Sequence, residues 1–341
     1  MIGGDHFLTA PVPIDNSLGE LLEGDLGYIS FFASGRDALA TLLAALPQAA
    51  VNLPDLICKS VHDACRAARK KCIIYRIGAD FLHNDAAIAR TGPSIIYVMH
   101  YFGVRNDALI RQARNAGSTV ISDVTHLLFD RVGLLEIARH SDFLVASLRK
   151  SGPFPDGGFV SSLQHRPPTP ERGLREEFLA LRAAGLWSRG FSAAQGFVDD
   201  ENYHLLKRAE TALDTSEPAD FACSYLSRRL AHSVVVDASA AVIRRNIDVL
   251  VTGLRGRVIL ADAASQISPY FPCLFDSDGL RDHVRGALAA RRFFCPVHWP
   301  CAGLPVPSLL ATRSLSIPCD ARYDETVMQS IVKVIKLCLP C

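Results

Sequence analysis

Between residues 50 and 163, short apolar runs alternate with segments of helical pattern, and no other feature restricts the fold as much. The runs are AVNLP (50–54), CIIYRI (72–77), SIIYVMHYFG (94–103), STVISDVTH (118–126), DFLVASL (142–148) and GGFVSSL (157–163). Most are apolar at consecutive positions, as expected of strands covered on both faces. Helical patterns precede or separate them at DALATLLAAL (37–46), SVHDACRAARK (60–70) and DALIRQARNAG (107–117), the last with a glycine at its C-cap position. This order predicts an α/β fold with a mostly parallel sheet sandwiched by helices. After Leu163 a turn-rich connector (165–173) leads into helical patterns reaching residue 250, interrupted at TSEPAD (215–220). VILADA, PYFPCLF and RSLSIP then suggest the strands of a smaller α+β part. The expected division is a large domain over 1–235 and a small C-terminal domain over 236–341, a size that suits 341 residues.

Charge and composition exclude several classes. With 36 basic and 35 acidic residues, net charge gives no reason to expect nucleic acid or an anionic membrane as partner. No apolar run reaches the roughly 18–20 residues of a membrane helix. The start, MIGGDHFLTAPVP, has no charged region followed by an apolar one, so no signal peptide is read and a cytoplasmic location is expected. Ten scattered cysteines in such a chain suggest reduced core residues rather than a disulfide framework. Cys338 and Cys341 form a lone CxxC with no second pair to complete a zinc site, and no metal is expected.

Ligands of such sheets bind at the carboxyl ends of the strands, so polar residues there are candidates. Phe31-Phe32 give way to Ser34-Gly35-Arg36 at a helix start, where N–H groups, a hydroxyl and a guanidinium could cradle a phosphate. Ser34 could equally be a simple N-cap. Asp123, with Thr125 and His126 behind it, ends a strand where a carboxylate is costly to bury without a partner. It could also cap the next turn. Ser147-Leu148-Arg149-Lys150 ends another strand, with Gly157-Gly158 beyond. A lysine held there, partly out of water, is available as an amine for Schiff-base chemistry, or it snorkels to solvent.

Taken together, a phosphate loop, then Asp123, then Lys150 27 residues later resemble the layout of pyridoxal-phosphate enzymes of the aspartate-aminotransferase type, fold type I. More narrowly they resemble the DegT/DnrJ/EryC1/StrS sugar aminotransferase family. Asp123-x-x-His126 is similar to that family's Glu-Asp-Ala-Ala-His stretch, and Lys150 with Gly157-Gly158 matches its lysine-to-Gly-Gly spacing. His100-Tyr101-Phe102-Gly103 resembles its His-x-x-Gly strand end, and CPVHWP (295–300) with SLSIPCDARY (314–323) resembles its small-domain segments. The resemblance implies an aminotransferase using pyridoxal 5'-phosphate, with an amino donor such as glutamate and a keto acceptor on a nucleotide-linked sugar, in polysaccharide or secondary-metabolite biosynthesis.

It also implies roles. Lys150 would carry the cofactor as a Schiff base, with Asp123 at the ring nitrogen, His126 near the ring oxygen and Thr125 under the ring. Ser34, Gly35, Arg36 and Ser147 would hold the phosphate, and Gly157-Gly158 would let the backbone pass Lys150 without a Cβ clash. His298, Trp299 and Arg322 would receive the substrate's variable part, with a structural role open for Trp299 and Arg322. A homodimer with the site at its interface is implied as well. Relatives place an aromatic residue over the ring in the segment matching PDLICKSV (54–61); here Cys58 stands nearest. The serine before the lysine precedes it by three residues rather than five, and the relatives' Gly-x-Asn-x-Arg stretch has no clean copy. A pyridoxal-phosphate enzyme of another class, such as a lyase or cyclase, and a catalytically silent family member remain the alternatives.

Overall fold

A computed structural model of the chain describes residues 2–3, 15–83, 93–196, 200–260, 267–300 and 308–339. The first part runs β1 (Ile2–Gly3), α1 (Leu18–Glu20), β2 (Tyr28–Phe32), α2 (Gly35–Ala45), β3 (Ala50–Pro54), α3 (Lys59–Ala67) and β4 (Lys71–Tyr75). It continues through β5 (Ile95–Met99), α4 (Asp107–Asn115), β6 (Thr119–Asp123), α5 (Arg131–His140), β7 (Phe143–Ser147) and β8 (Gly158–Ser162). Helices α6 (Glu176–Gln195), α7 (Glu201–Thr215), α8 (Tyr225–Ala231) and α9 (Val236–Leu254) follow. The chain closes with β9 (Ile259–Leu260), β10 (Tyr270–Leu274), α10 (Asp278–Ala289), β11 (Phe293–Phe294), α11 (Leu309–Arg313), β12 (Ser314–Pro318) and α12 (Glu325–Cys338).

Seven strands form the central sheet in the order β2-β8-β7-β6-β5-β3-β4. Pairing is parallel from β7 through β6, β5 and β3 to β4, and antiparallel where β8 meets β7 and β2. The reversal at β8 follows from length: residues 148–157 are too few for a crossover helix, so the strand returns antiparallel. Val51, Leu53, Val98, Ile121, Val145 and Phe159 on these strands are buried in one core, as their unbroken apolar runs require. Two elements had no strong signal. β2 is an edge strand with partly exposed residues, and α5 is a short helix, capped by the Asp130 carboxylate on the Gly133 N–H, that buries Gly133, Leu134, Ile137 and Ala138.

Beyond the sheet, β12-β10-β9 form a three-stranded antiparallel sheet. A second core gathers on it from α9, α10 and α12, including Ile243, Leu250, Phe271, Leu288, Leu315 and Ile331. Among the described residues, no helix is long and apolar enough to cross a membrane. The eight described cysteines are unpaired, five of them buried. Cys301 and Cys341, and with the latter the CxxC spacing, lie outside the described residues.

The Gly157-Gly158 pair has a different purpose from the one expected. Its close neighbour is not Lys150 but the backbone leading into α2: a Cβ on Gly158 would lie 2.3 Å from the Gly35 nitrogen and 2.4 Å from the Ser34 carbonyl carbon. Gly157 has φ +118°, and its N–H bonds the Ala33 carbonyl at 2.7 Å. The pair thus seats the start of α2 against the end of the sheet. Neither backbone can give way cheaply, so Gly158→Ala should destabilise the fold by about 3 kcal/mol. An unchanged urea midpoint for that variant would show that the two segments part easily.

Candidate active site

A cavity of about 550 Å³ opens where the carboxyl ends of β6 and β7 meet the N-terminus of α2. Its inner wall carries Ser34, Gly35, Asp123, Thr125, Ser147 and Lys150. Parallel β5, β6 and β7 end on one side of the sheet, so residues far apart in sequence arrive together. Asp123 is the last residue of β6, and its carboxylate accepts the Thr125 N–H at 2.9 Å and the Tyr97 hydroxyl. Burial pushes the Asp123 carboxyl above its ordinary range; the hydrogen bonds from Thr125 and Tyr97 and the Lys150 charge offset part of this.

Lys150 ends the short 3-10 turn that follows β7. Its ammonium makes no hydrogen bond or ion pair with any described residue and lies 5.8 Å from the centre of the Trp299 ring. A half-buried, unpartnered amine on a cavity wall is an available nucleophile.

At the helix start, Ser34 is the N-cap: its hydroxyl accepts the Asp37 N–H at 3.1 Å and donates to the Asp37 carboxylate at 2.8 Å. Arg175 clamps that carboxylate through Nε at 3.0 Å and Nη2 at 2.6 Å. Ser34 therefore caps the helix, as one reading expects, and it also stands on the cavity wall. The first-turn N–H groups of α2 have no acceptor within the helix and favour an anion. Gly35 lets this turn approach β7, since a Cβ there would lie 3.1 Å from Ser147 Cβ. Ser147 is fixed by its N–H bond to Thr125 Oγ1 at 3.0 Å. Arg36 lines the cavity, but its guanidinium donates to the Leu213 carbonyl and sits 3.7 Å from Asp214 and 4.0 Å from Asp63, tying α2 to α7 and α3. Cys58, the N-cap of α3, also lies on the wall and accepts the Ser60 hydroxyl at 3.1 Å.

His298 and Trp299 join the same cavity from the C-terminal part, whereas His126 and Arg322 do not line it. His126 lies behind Trp299, with rings parallel within 8° and centres 5.9 Å apart. Its Nδ1 accepts the Phe102 N–H at 3.1 Å, and its Nε2 is buried without a hydrogen-bond partner. Burial, with the Lys150 charge adding to it, lowers His126 to about 3, so it is neutral. His126 thus backs an aromatic wall rather than facing a ligand. His298 Nδ1 meets the Ser316 hydroxyl at 2.9 Å, and burial followed by Lys150 and His126 hold this ring neutral as well. Arg322 forks onto Asp320, through Nε at 2.7 Å and Nη2 at 2.8 Å, in the turn after β12. Its structural role is the one the geometry favours.

Trp299 is both core and wall: it is 7% exposed, packs edge-on to Tyr101 at 6.0 Å and lines the cavity. Trp299→Ala should cost about 3–5 kcal/mol of stability. An unchanged melting temperature would make the ring a ligand contact alone.

Several lining residues escaped the sequence reading. Tyr97 had a usable signal, a polar tip inside a fully apolar strand, which needs a buried partner and finds it in Asp123. Glu210 and Asp214 reach the cavity from α7, and Arg149 joins Glu210. Nothing local in ENYHLLKRAETALDT marks those positions.

The raised Asp123 carboxyl has a consequence for stability. Its folded ionisation lies above the unfolded one, so between the two the native state binds more protons, and this contribution is lost as pH rises through the folded value. Asp123→Asn should therefore flatten part of the decline in stability of cofactor-free protein as pH rises from about 4, the unfolded carboxylate's own range. Urea titrations across that range check this; a steeper decline in the variant would contradict it.

No protein-family model matches the chain, and no curated protein matches it in sequence. Solved structures do match in fold. The protein titled "Putative sugar aminotransferase" from Streptococcus pneumoniae, in its PLP form, superposes with a TM-score of 0.62 at 14% identity, covering 97% of this chain and 94% of that one. Its PMP form gives 0.63 at 13%, with 97% and 93% covered. Serine palmitoyltransferase from Sphingomonas wittichii gives 0.60 at 12%, covering 94% of this chain and 75% of that one. At these identities the likeness shows the fold, a mixed α/β architecture of the fold-type-I class.

Proposed function

We propose that the chain is a pyridoxal-phosphate-dependent aminotransferase that moves an amino group from a donor such as glutamate to a keto group, on a nucleotide-linked sugar. The observation that carries this reading is the Lys150 ammonium, without a hydrogen bond or ion pair to any described residue, sharing one cavity with the half-buried Asp123 carboxylate and the start of α2. The donor set fits the cofactor: an amine without a hydrogen-bond partner among the described residues, a half-buried carboxylate that gains from a cationic partner, and a helix start suited to phosphate. The solved Streptococcus pneumoniae structures of similar fold are a PLP form and a PMP form.

Lys150 would hold the cofactor covalently, Asp123 would face its ring nitrogen, and Ser34, Gly35, Arg36 and Ser147 would surround its phosphate. Thr125 and Cys58 would flank the ring. When bound, pyridoxal phosphate supplies an electron sink for the carbanion left at the donor's α-carbon. Lys150 Nζ would take the proton from that carbon as base and then, as acid, deliver it to the cofactor's C4′ carbon. Asp123 keeps a fixed negative charge at the end of β6, held by Tyr97 and Thr125 so that no reorganisation is needed during the reaction. His298 and Trp299, both buried, exclude water from one side.

A second reading, a pyridoxal-phosphate enzyme of another class, draws support from the comparable match to a palmitoyltransferase. Glutamate separates the two: it should convert the bound cofactor to its amine form in the absence of acceptor. A cofactor-loaded protein that no amino donor converts would remove the aminotransferase reading and leave the second. The proposal includes a homodimer, and a monomer with full activity in light scattering at working concentration would overturn that part.

A further inference from the structure

The outer wall of the cavity carries a cation that the scheme above does not use. Among the described residues, four arginine and lysine side chains line the cavity: Arg36, Arg149, Lys150 and Arg285. Arg36 is committed to the Leu213 carbonyl and Asp214, and Arg149 to Glu210 with the Phe178 ring 5.4 Å beneath it. Lys150 belongs to the reaction centre. Arg285, on α10, makes no hydrogen bond or ion pair with any described residue. The acidic residue one turn before it, Asp282, lies against Arg281 at 2.8 Å instead. Phe294 lines the same wall and leaves 45% of its surface exposed, although its neighbour Phe293 is buried in the second core. A guanidinium without a partner among the described residues and an unburied aromatic ring, both on the lining of one reaction cavity, make a recognition surface in want of a ligand.

We propose that Arg285, with Phe294 on the same cavity lining, is the anchor for an oxyanion carried by the substrate. The guanidinium fork would take a carboxylate or phosphate in two parallel hydrogen bonds, and the ring would cover the adjoining apolar part of the molecule. The anchor comes from α10 and β11 while Lys150 comes from the central sheet, so a substrate reaching both is held across the cavity. This assignment rests on the reading of the cavity as a reaction site, and it concerns binding rather than chemistry. The oxyanion has two sources: the carboxylate of the amino donor, or a phosphate on the keto acceptor.

Calorimetric titration with two probes decides. Glutarate stands for the donor's carboxylate and inorganic pyrophosphate for the acceptor's phosphate, each added to protein with and without cofactor. Arg285→Ala should weaken at least one probe about tenfold or more, the scale of a lost charge-assisted hydrogen bond. Arg285→Lys, which keeps the charge and loses the fork, should recover part of the affinity. Because Arg285 is exposed and unpaired among the described residues, neither variant should change the melting temperature. Loss confined to glutarate assigns the donor carboxylate, and loss confined to pyrophosphate assigns the acceptor phosphate. Equal loss of both supports a general oxyanion anchor. Failure of the wild type to bind either probe, or unchanged affinity for both in Arg285→Ala, overturns the proposal. Cofactor attachment at Lys150, measured on the same preparations, reports on the functional reading separately.

Discussion

Lys150→Ala should lose covalent cofactor and lower turnover by at least about ten-thousandfold, the upper end of what a general acid–base group alone contributes. The effect is so large because one side chain is asked to do two things, hold the cofactor and move the proton. Among the described residues, no other lysine lines the cavity. The fold should not notice the change. Lys150 is half-buried and makes no hydrogen bond or ion pair with described residues, so its removal breaks no such bond; the Asp123 carboxylate loses a nearby cation, and stability should stay within about 1 kcal/mol. Turnover of Lys150→Ala near the wild-type rate would end the account, because no other described amine on that wall could replace it.

Asp123→Asn should cost about 3 kcal/mol or more in the barrier, the scale of removing one preorganised electrostatic partner. The geometry makes this substitution informative. Tyr97 and Thr125 already hold the carboxylate in place, and an amide of the same shape can keep the Thr125 N–H on its oxygen and turn its NH2 to donate to the Tyr97 oxygen, while losing the charge. The wild type bears a desolvation cost for that charge, seen in the raised ionisation of Asp123. A variant that is slower yet no less stable is therefore the expected pattern: the charge is kept for the reaction and not for the fold. Wild-type turnover in Asp123→Asn would mean that the ring nitrogen is met elsewhere. A slow and unstable variant would make Asp123 a structural group.

How far the sequence reveals this site depends on how local each cause is. The central sheet was legible because strands covered on both faces must be apolar at successive positions, and AVNLP, SIIYVM and DFLVAS are. Once such a sheet is expected, its strand ends are fixed, and Ser34, Asp123 and Lys150 fall there by topology. Arg322 could have been assigned from sequence, since Asp320 stands two residues before it and their ion pair is local. The place of His126 could not. It depends on Trp299 arriving from 173 residues further along the chain and stacking over it. The same holds for Arg36, whose guanidinium is claimed by the Leu213 carbonyl 177 residues away. Gly158 was singled out correctly as a clearance residue with the wrong neighbour, because a glycine pair signals close approach without saying to what.

The central claim is that Lys150 is the cofactor's attachment point, and borohydride reduction tests it most directly. Protein loaded with pyridoxal phosphate, reduced and digested, should carry the phosphopyridoxyl group on the peptide containing Lys150, at one group per chain. A modified peptide from any other lysine, or a loaded and reduced protein with no stable adduct, would contradict the account.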